Sequence, residues 1–150
     1  MKKLLTVSIF VLATAMGKAQ LSPVTWSFSA SKTGDKMYEV KMVATLENKW
    51  HLYSQNQPDD AVIMPTSFKF NPNPLFSLQG KVKETGKLEK FTDKELGLSA
   101  NQYSNTVTFT QKIKLKANVK TNLTGSVEYQ TCDDKKCLPP KTVNFSVAIK

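Results

Sequence analysis

The sequence holds no arginine, a single histidine, two cysteines and six glycines, and no long apolar run outside its first twenty residues. Arginine's planar fork supplies the commonest specific base contact, so its absence argues against nucleic-acid partners even though 21 lysines face 12 acids. Those lysines are scattered along the chain, which reads as a solvated surface with a weak attraction to anionic partners. Two cysteines and one histidine cannot close a four-ligand zinc site without carboxylates, and their spacing fits no finger pattern, so no metal or other cofactor is expected. A Cys–His dyad built on His51 stays open, although nothing in the sequence places the two together. There is no glycine-rich phosphate loop and no serine-nucleophile elbow.

The one apolar run lies at the start. Lys2 and Lys3 precede a stretch from Leu4 to Ala15 broken only by Thr6, Ser8 and Thr14. Gly17-Lys18-Ala19 then places small residues at −3 and −1, the pattern of a signal peptide cleaved after Ala19. The run is shorter than the roughly 20 residues a spanning helix needs, so no membrane insertion is expected. Residues 1–19 hold three lysines and no acids, and removing them leaves 20–150 with a charge of +6. A chain of that length fills one domain and is too short for two ordinary ones. The chain is therefore expected to be exported.

Period-two alternation dominates the rest of the chain. Val24, Trp26, Phe28 and Ala30 form one stripe, and Tyr38, Val40, Met42, Ala44 and Leu46 a second. Val107, Phe109, Ile113 and Leu115 alternate with threonines and lysines, then come Leu123, Val127 and Tyr129, and finally Val143, Phe145, Val147 and Ile149. Shorter strands are expected at Trp50–Ser54, Ser67–Phe70 and Phe76–Lys83. Such alternation marks half-buried antiparallel strands. The predicted fold is all-β: an immunoglobulin-like antiparallel β-sandwich of about eight strands. Gln55–Pro65 and Thr85–Ser104 read as long irregular stretches, which in a compact domain tend to be functional.

Cys132 and Cys137 flank Asp133-Asp134-Lys135-Lys136 between two predicted strands. Facing residues at the mouth of an antiparallel hairpin lie close enough for a disulfide, and an oxidising compartment favours its closure. As a staple the pair is weak, since a ring of about six residues gives only ~2 kcal/mol in the loop-entropy account. A short ring is better suited to thiol–disulfide exchange. The odd-numbered core stripe through Tyr129 puts Cys132 on the outward face, within reach of a partner's thiolate. The competing reading is a non-catalytic secreted binding module whose hairpin bridge is a minor staple.

Tyr129-Gln130-Thr131-Cys132, a polar turn and Cys137-Leu138-Pro139-Pro140-Lys141-Thr142-Val143 resemble the active-site hairpin of the N-terminal periplasmic domain of DsbD, the thiol:disulfide interchange protein. The resemblance extends more loosely to Trp50-His51-Leu52-Tyr53 and to Tyr103–Leu115. It implies an immunoglobulin-like electron relay with Cys132 and Cys137 as the redox pair and His51 and Tyr53 around it. It also implies a bacterial, periplasmic location, thioredoxin-fold periplasmic partners and a membrane electron donor; the chain itself is expected to be monomeric. On that reading it is an oxidoreductase component that depends on other proteins.

Three departures from the family pattern stand out. The turn holds four residues, one fewer than the family's hairpin. The family's shielding loop carries a phenylalanine flanked by acids and followed by glycine. Here the matching stretch is Asp93-Lys94-Glu95-Leu96-Gly97, which makes Leu96 the expected cap unless Phe91 takes the role. No membrane or thioredoxin-like region follows, so donor and acceptor are expected to be separate proteins.

Overall fold

The computed structural model describes residues 22–93 and 98–150, with only the backbone of Asp93 and Leu98. The predicted leader, residues 1–19, lies outside the described residues. These residues form nine strands in chain order: β1 (Val24–Gly34), β2 (Met37–Leu46), β3 (His51–Tyr53), β4 (Ser67–Phe70), β5 (Phe76–Asp93), β6 (Leu98–Leu115), β7 (Thr121–Tyr129), β8 (Thr131–Cys132) and β9 (Lys141–Ile149). They make a six-stranded sheet in the order β1-β2-β6-β3-β8, with β5 paired to β6, and a three-stranded sheet β4-β7-β9. Every pairing is antiparallel. The all-β sandwich expected from the alternation is what forms.

The alternating stripes become the core. Tyr38, Val40, Met42, Ala44 and Leu46 of β2 are buried, as are Val107, Phe109, Ile113 and Leu115 of β6. They meet Leu123, Val127, Phe145, Val147 and Ile149 of the smaller sheet in one apolar cluster. Burying a side chain of this size contributes roughly 1.5–3 kcal/mol. Aromatic rings lock the sheets together: Phe28 stacks on Phe145 at 4.8 Å, Phe68 lies 5.0 Å from Phe109 and Trp26 lies 5.5 Å from Tyr129.

Thr85–Ser104 is not the irregular stretch its sequence suggested. Its described parts are the end of β5 and the start of β6, paired from Leu88↔Tyr103 to Asp93↔Leu98. Apolar alternation fails there because Leu88 and Phe91 remain exposed, and a ladder held by backbone bonds needs no buried stripe. Gln55–Pro65 is irregular as expected, and side chains stitch it to β6. Gln57 Nε2 donates to the Asn101 carbonyl at 2.7 Å, and the Asn101 amide donates back to Gln57 Oε1 at 2.9 Å.

Two irregularities bend the β5–β6 pair. Between Gly86↔Val107 and Leu88↔Tyr103 the register slips, because β6 has extra residues around Asn105, whose φ is 64°. Asparagine tolerates that left-handed backbone better than most residues. The bulge falls where β6 changes neighbour, from β3 at Ser104 to β2 at Thr106. A second slip lies between Gln79 and Lys83, with Gly80 at φ 71°. Gln111, buried opposite it, donates Nε2 towards the carbonyls of Lys112, Gly80 and Gln79. A buried amide is thereby satisfied inside the core stripe.

Gly125 of β7 is required by close approach. A Cβ there would collide with the Lys69 carbonyl oxygen of β4 and lie 2.9 Å from Phe145 Cζ. Gly125→Ala should destabilise the protein by about 1–3 kcal/mol, read as a lowered urea midpoint with an unchanged slope. Tyr103, buried beneath the β3–β6 ladder, has its phenol pushed up to about 12, first by burial and then by the neighbouring Glu84 carboxylate. An unfolded tyrosine ionises near pH 10. The stability from holding this proton is therefore complete below about pH 10 and is lost as pH rises through about 12. Tyr103→Phe should flatten the fall in stability over that window, measured by denaturant unfolding at successive pH values.

Candidate functional site

The cysteine hairpin begins where the chain changes sheets. β7 belongs to the three-stranded sheet, Gln130 interrupts it, and β8 joins the six-stranded sheet by pairing with β3. Leu52 faces Thr131 and His51 faces Cys132 in that short ladder. Cys132 in turn faces Cys137 in an isolated antiparallel bridge, and the two form a disulfide with Cα atoms 4.0 Å apart.

The turn itself is tight. The Asp133 amide donates to the Lys136 carbonyl at 2.9 Å, leaving Asp134 and Lys135 at the tip. Asp133 Oδ1 accepts from the backbone amides of Lys135 and Lys136 at 2.8 and 2.7 Å, the local bonding that suits aspartate to turns. Those bonds, the Lys135 amide foremost, hold the exposed Asp133 carboxyl below the usual aspartate range. Past Cys137, the Leu138 amide donates to the Thr131 carbonyl at 2.9 Å and closes the hairpin.

The two sulfurs are placed differently. Cys132 is 5% exposed and packs with Tyr53, Ala100 and Ile63, whereas Cys137 is exposed. The outward orientation expected for Cys132 is therefore wrong. The parity of β7 does not carry past Gln130, because β8 lies in the other sheet and both its residues, Thr131 and Cys132, are buried.

An open concavity of about 320 Å³ lies over the pair, lined by His51, Tyr53, Phe91, Gln102, Cys132, Asp133, Asp134 and Cys137. Five of the residues singled out in the sequence thus meet in one place: Cys132, Cys137, His51, Tyr53 and Phe91. Asp93 ends β5 and its side chain is not described, while Glu95 and Leu96 lie outside the described residues. Phe91 is 51% exposed, so a large apolar ring stands at the edge of the cysteine site. Burial pushes the Tyr53 phenol above its ordinary range.

Several participants carried no sequence signal. Ile63 comes from the irregular segment, and Gln102, Ser104 and Glu89 come from the long β5–β6 pair. His51 Nδ1 lies 2.9 Å from Ser104 Oγ, which donates to Glu89 Oε2 at 2.9 Å. His51 Nε2 is 3.7 Å from Asp134 Oδ1. Among the described residues, no group of three or more His, Cys, Asp or Glu side chains is placed to hold a metal.

The family described as thiol:disulfide interchange protein DsbD, N-terminal, matches residues 18–149. The chain belongs to this family. The hairpin disulfide in a DsbD N-terminal-like domain makes it a thiol–disulfide exchange module. Among solved structures, the reduced DsbD N-terminal domain of Neisseria meningitidis is similar at TM-score 0.54 and 15% identity, covering 84% of this chain and 85% of that one. The N-terminal periplasmic domain of ScsB from Proteus mirabilis is similar at TM-score 0.51 and 17% identity, covering 84% of this chain and 44% of that one. A complex of the Neisseria meningitidis DsbD and PilB N-terminal domains contains a chain similar at TM-score 0.51 and 15% identity, with 85% and 87% covered. At these identities the likeness concerns the fold. No curated protein matches the sequence.

The turn geometry carries its own test. Asp133→Ala should leave the disulfide closed but speed hydrogen exchange at the Lys135 and Lys136 amides by about fivefold or more, observable by NMR.

Proposed function

We propose that this chain is a periplasmic electron relay, in which the Cys132–Cys137 pair passes reducing equivalents between a membrane donor and thioredoxin-fold proteins. The observation that carries this reading is the asymmetric disulfide: an exposed Cys137 joined to a buried Cys132 on the family's hairpin. The leader pattern at residues 1–19 supports an exported location. The Neisseria meningitidis DsbD N-terminal domain is known in complex with the PilB N-terminal domain, a precedent for a partner domain docking on this fold.

In the reduced protein the Cys137 thiolate, open to solvent, attacks a partner disulfide and forms a mixed disulfide. Cys132 then attacks Cys137 Sγ, closing the intramolecular bond and releasing the partner with two thiols. Phe91 acts as the shield, its ring at the rim limiting small thiols until a docked partner displaces it. The ring closed by Cys132 and Cys137 is short, so its loss removes only about 2 kcal/mol and the domain stays folded in both redox states.

The predicted outcome is asymmetric trapping. Cys132→Ala, which leaves the accessible thiol and removes the resolving one, should accumulate a mixed disulfide with a thioredoxin-fold protein from periplasmic extract, seen as a gel shift reversed by reductant. Cys137→Ala should trap at least tenfold less, because Cys132 is buried. Equal trapping by both variants would refute the assignment of roles, and no trapping by either would refute the relay.

A further inference from the structure

Resting on the reading of Cys132 and Cys137 as an exchanging pair, we propose that Glu89, Ser104 and His51 form a proton relay serving the Cys132 sulfur. In it, Glu89 and Ser104 are positioning residues, and His51 Nε2 is the atom that gives and takes the proton. Three strands assemble it. In the β3–β8 ladder His51 and Cys132 are direct partners, so their side chains leave the backbone on one face, with Cβ atoms roughly 4.5–5.5 Å apart. In the β3–β6 ladder His51 also faces Ser104, and Glu89 reaches Ser104 from β5.

The bonds fix the imidazole. A serine hydroxyl has one proton, and Ser104 gives it to the Glu89 carboxylate, which can only accept. Toward His51 the Ser104 oxygen is therefore an acceptor, and Nδ1 must carry a hydrogen. In the neutral ring Nε2 is left with its lone pair, and His51 lines the same concavity as both cysteines. Asp134 Oδ1, 3.7 Å away, is also an acceptor, so the two can bond only when Nε2 is protonated. Among the described residues, the other titratable groups facing this space are Tyr53 on β3, Asp133 in the turn and the cysteines, while Phe91 and Gln102 bring no charge.

Reduction of the disulfide needs such a group. An external thiolate attacks the exposed Cys137 Sγ, the Cys132–Cys137 bond breaks, and its electron pair leaves on Cys132 Sγ. That sulfur is buried, where an unprotonated thiolate is poorly solvated. His51 Nε2–H supplies the proton, giving the Cys132 thiol and a neutral imidazole. The reductant's second thiol, losing its proton to solvent, attacks its own mixed disulfide and releases Cys137 as a thiolate that takes up a proton. His51 then takes a proton back from solvent, so that in sum a dithiol is oxidised to a disulfide while the protein gains two electrons and two protons. In the reverse direction, the same steps let His51 deprotonate Cys132 as the resolving thiol.

The test is the reduction of the oxidised full-length protein by dithiothreitol from pH 5 to 8.5, with rates expressed per dithiothreitol thiolate. The native rate per thiolate should fall as pH rises, because the step consumes a proton held on the protein. His51→Asn keeps an N–H for Ser104 but has no Nε2, and should flatten that dependence and be about tenfold or more slower at pH 6. Ser104→Ala and Glu89→Gln should each weaken the dependence. A native profile that does not fall, or variant profiles matching the native one, would overturn the proposal. A small dithiol replaces the protein partner, so failure to trap a thioredoxin-fold protein would sink the relay reading and leave this result standing.

Discussion

Two backbone pairings, Leu52 with Thr131 and His51 with Cys132, are the contacts on which the site depends. Through them the chain leaves the small sheet after Tyr129 and enters the large one. That crossing ties the sheets together at one end of the sandwich, and it decides which way each cysteine faces. Cys132 is carried into the space between Tyr53, Ala100 and Ile63, while Cys137, one turn later, returns at the surface. Had β7 simply continued with its own parity, Cys132 would face solvent and His51 would have no sulfur opposite it.

An asymmetric disulfide suits exchange better than stapling. The bridge spans a separation of five residues that the turn already holds together through Asp133, so it removes little freedom from the unfolded chain. The sandwich draws its stability instead from the apolar cluster between the sheets and from the aromatic contacts across it. Redox change at the hairpin is thereby uncoupled from the fold. A thiol–disulfide exchange module must survive both oxidation states, and this division of labour allows it.

The bulge around Asn105 links fold and site. By bending β6 where its neighbour changes from β2 to β3, it lets one long strand serve both the core and the cysteine end. Its β5 partner then brings Glu89 and Phe91 alongside, although neither belongs to an apolar stripe. Long strands that outrun their core leave exposed backbone edges and invite other uses. Here the extension supplies the rim of the concavity and the acid behind Ser104.

Alternation alone determined the core strands, because a period of two with β-branched and aromatic residues has one physical meaning when a single face is buried. Val107 to Leu115 and Tyr38 to Leu46 were legible for that reason, and so was the cysteine hairpin, whose turn chemistry is local. The extension of β5 and β6 was not legible, since residues 85–92 bury no stripe and their pairing is a matter of backbone bonds. Nor was the burial of Cys132, which depends on a change of sheet that no local pattern announces. The meeting of His51 with Cys132, and of Ser104 with Glu89, rests on registers between strands set by the whole fold. Composition and spacing could name the sulfurs and the lone imidazole, but only the tertiary ladder could set one opposite the other.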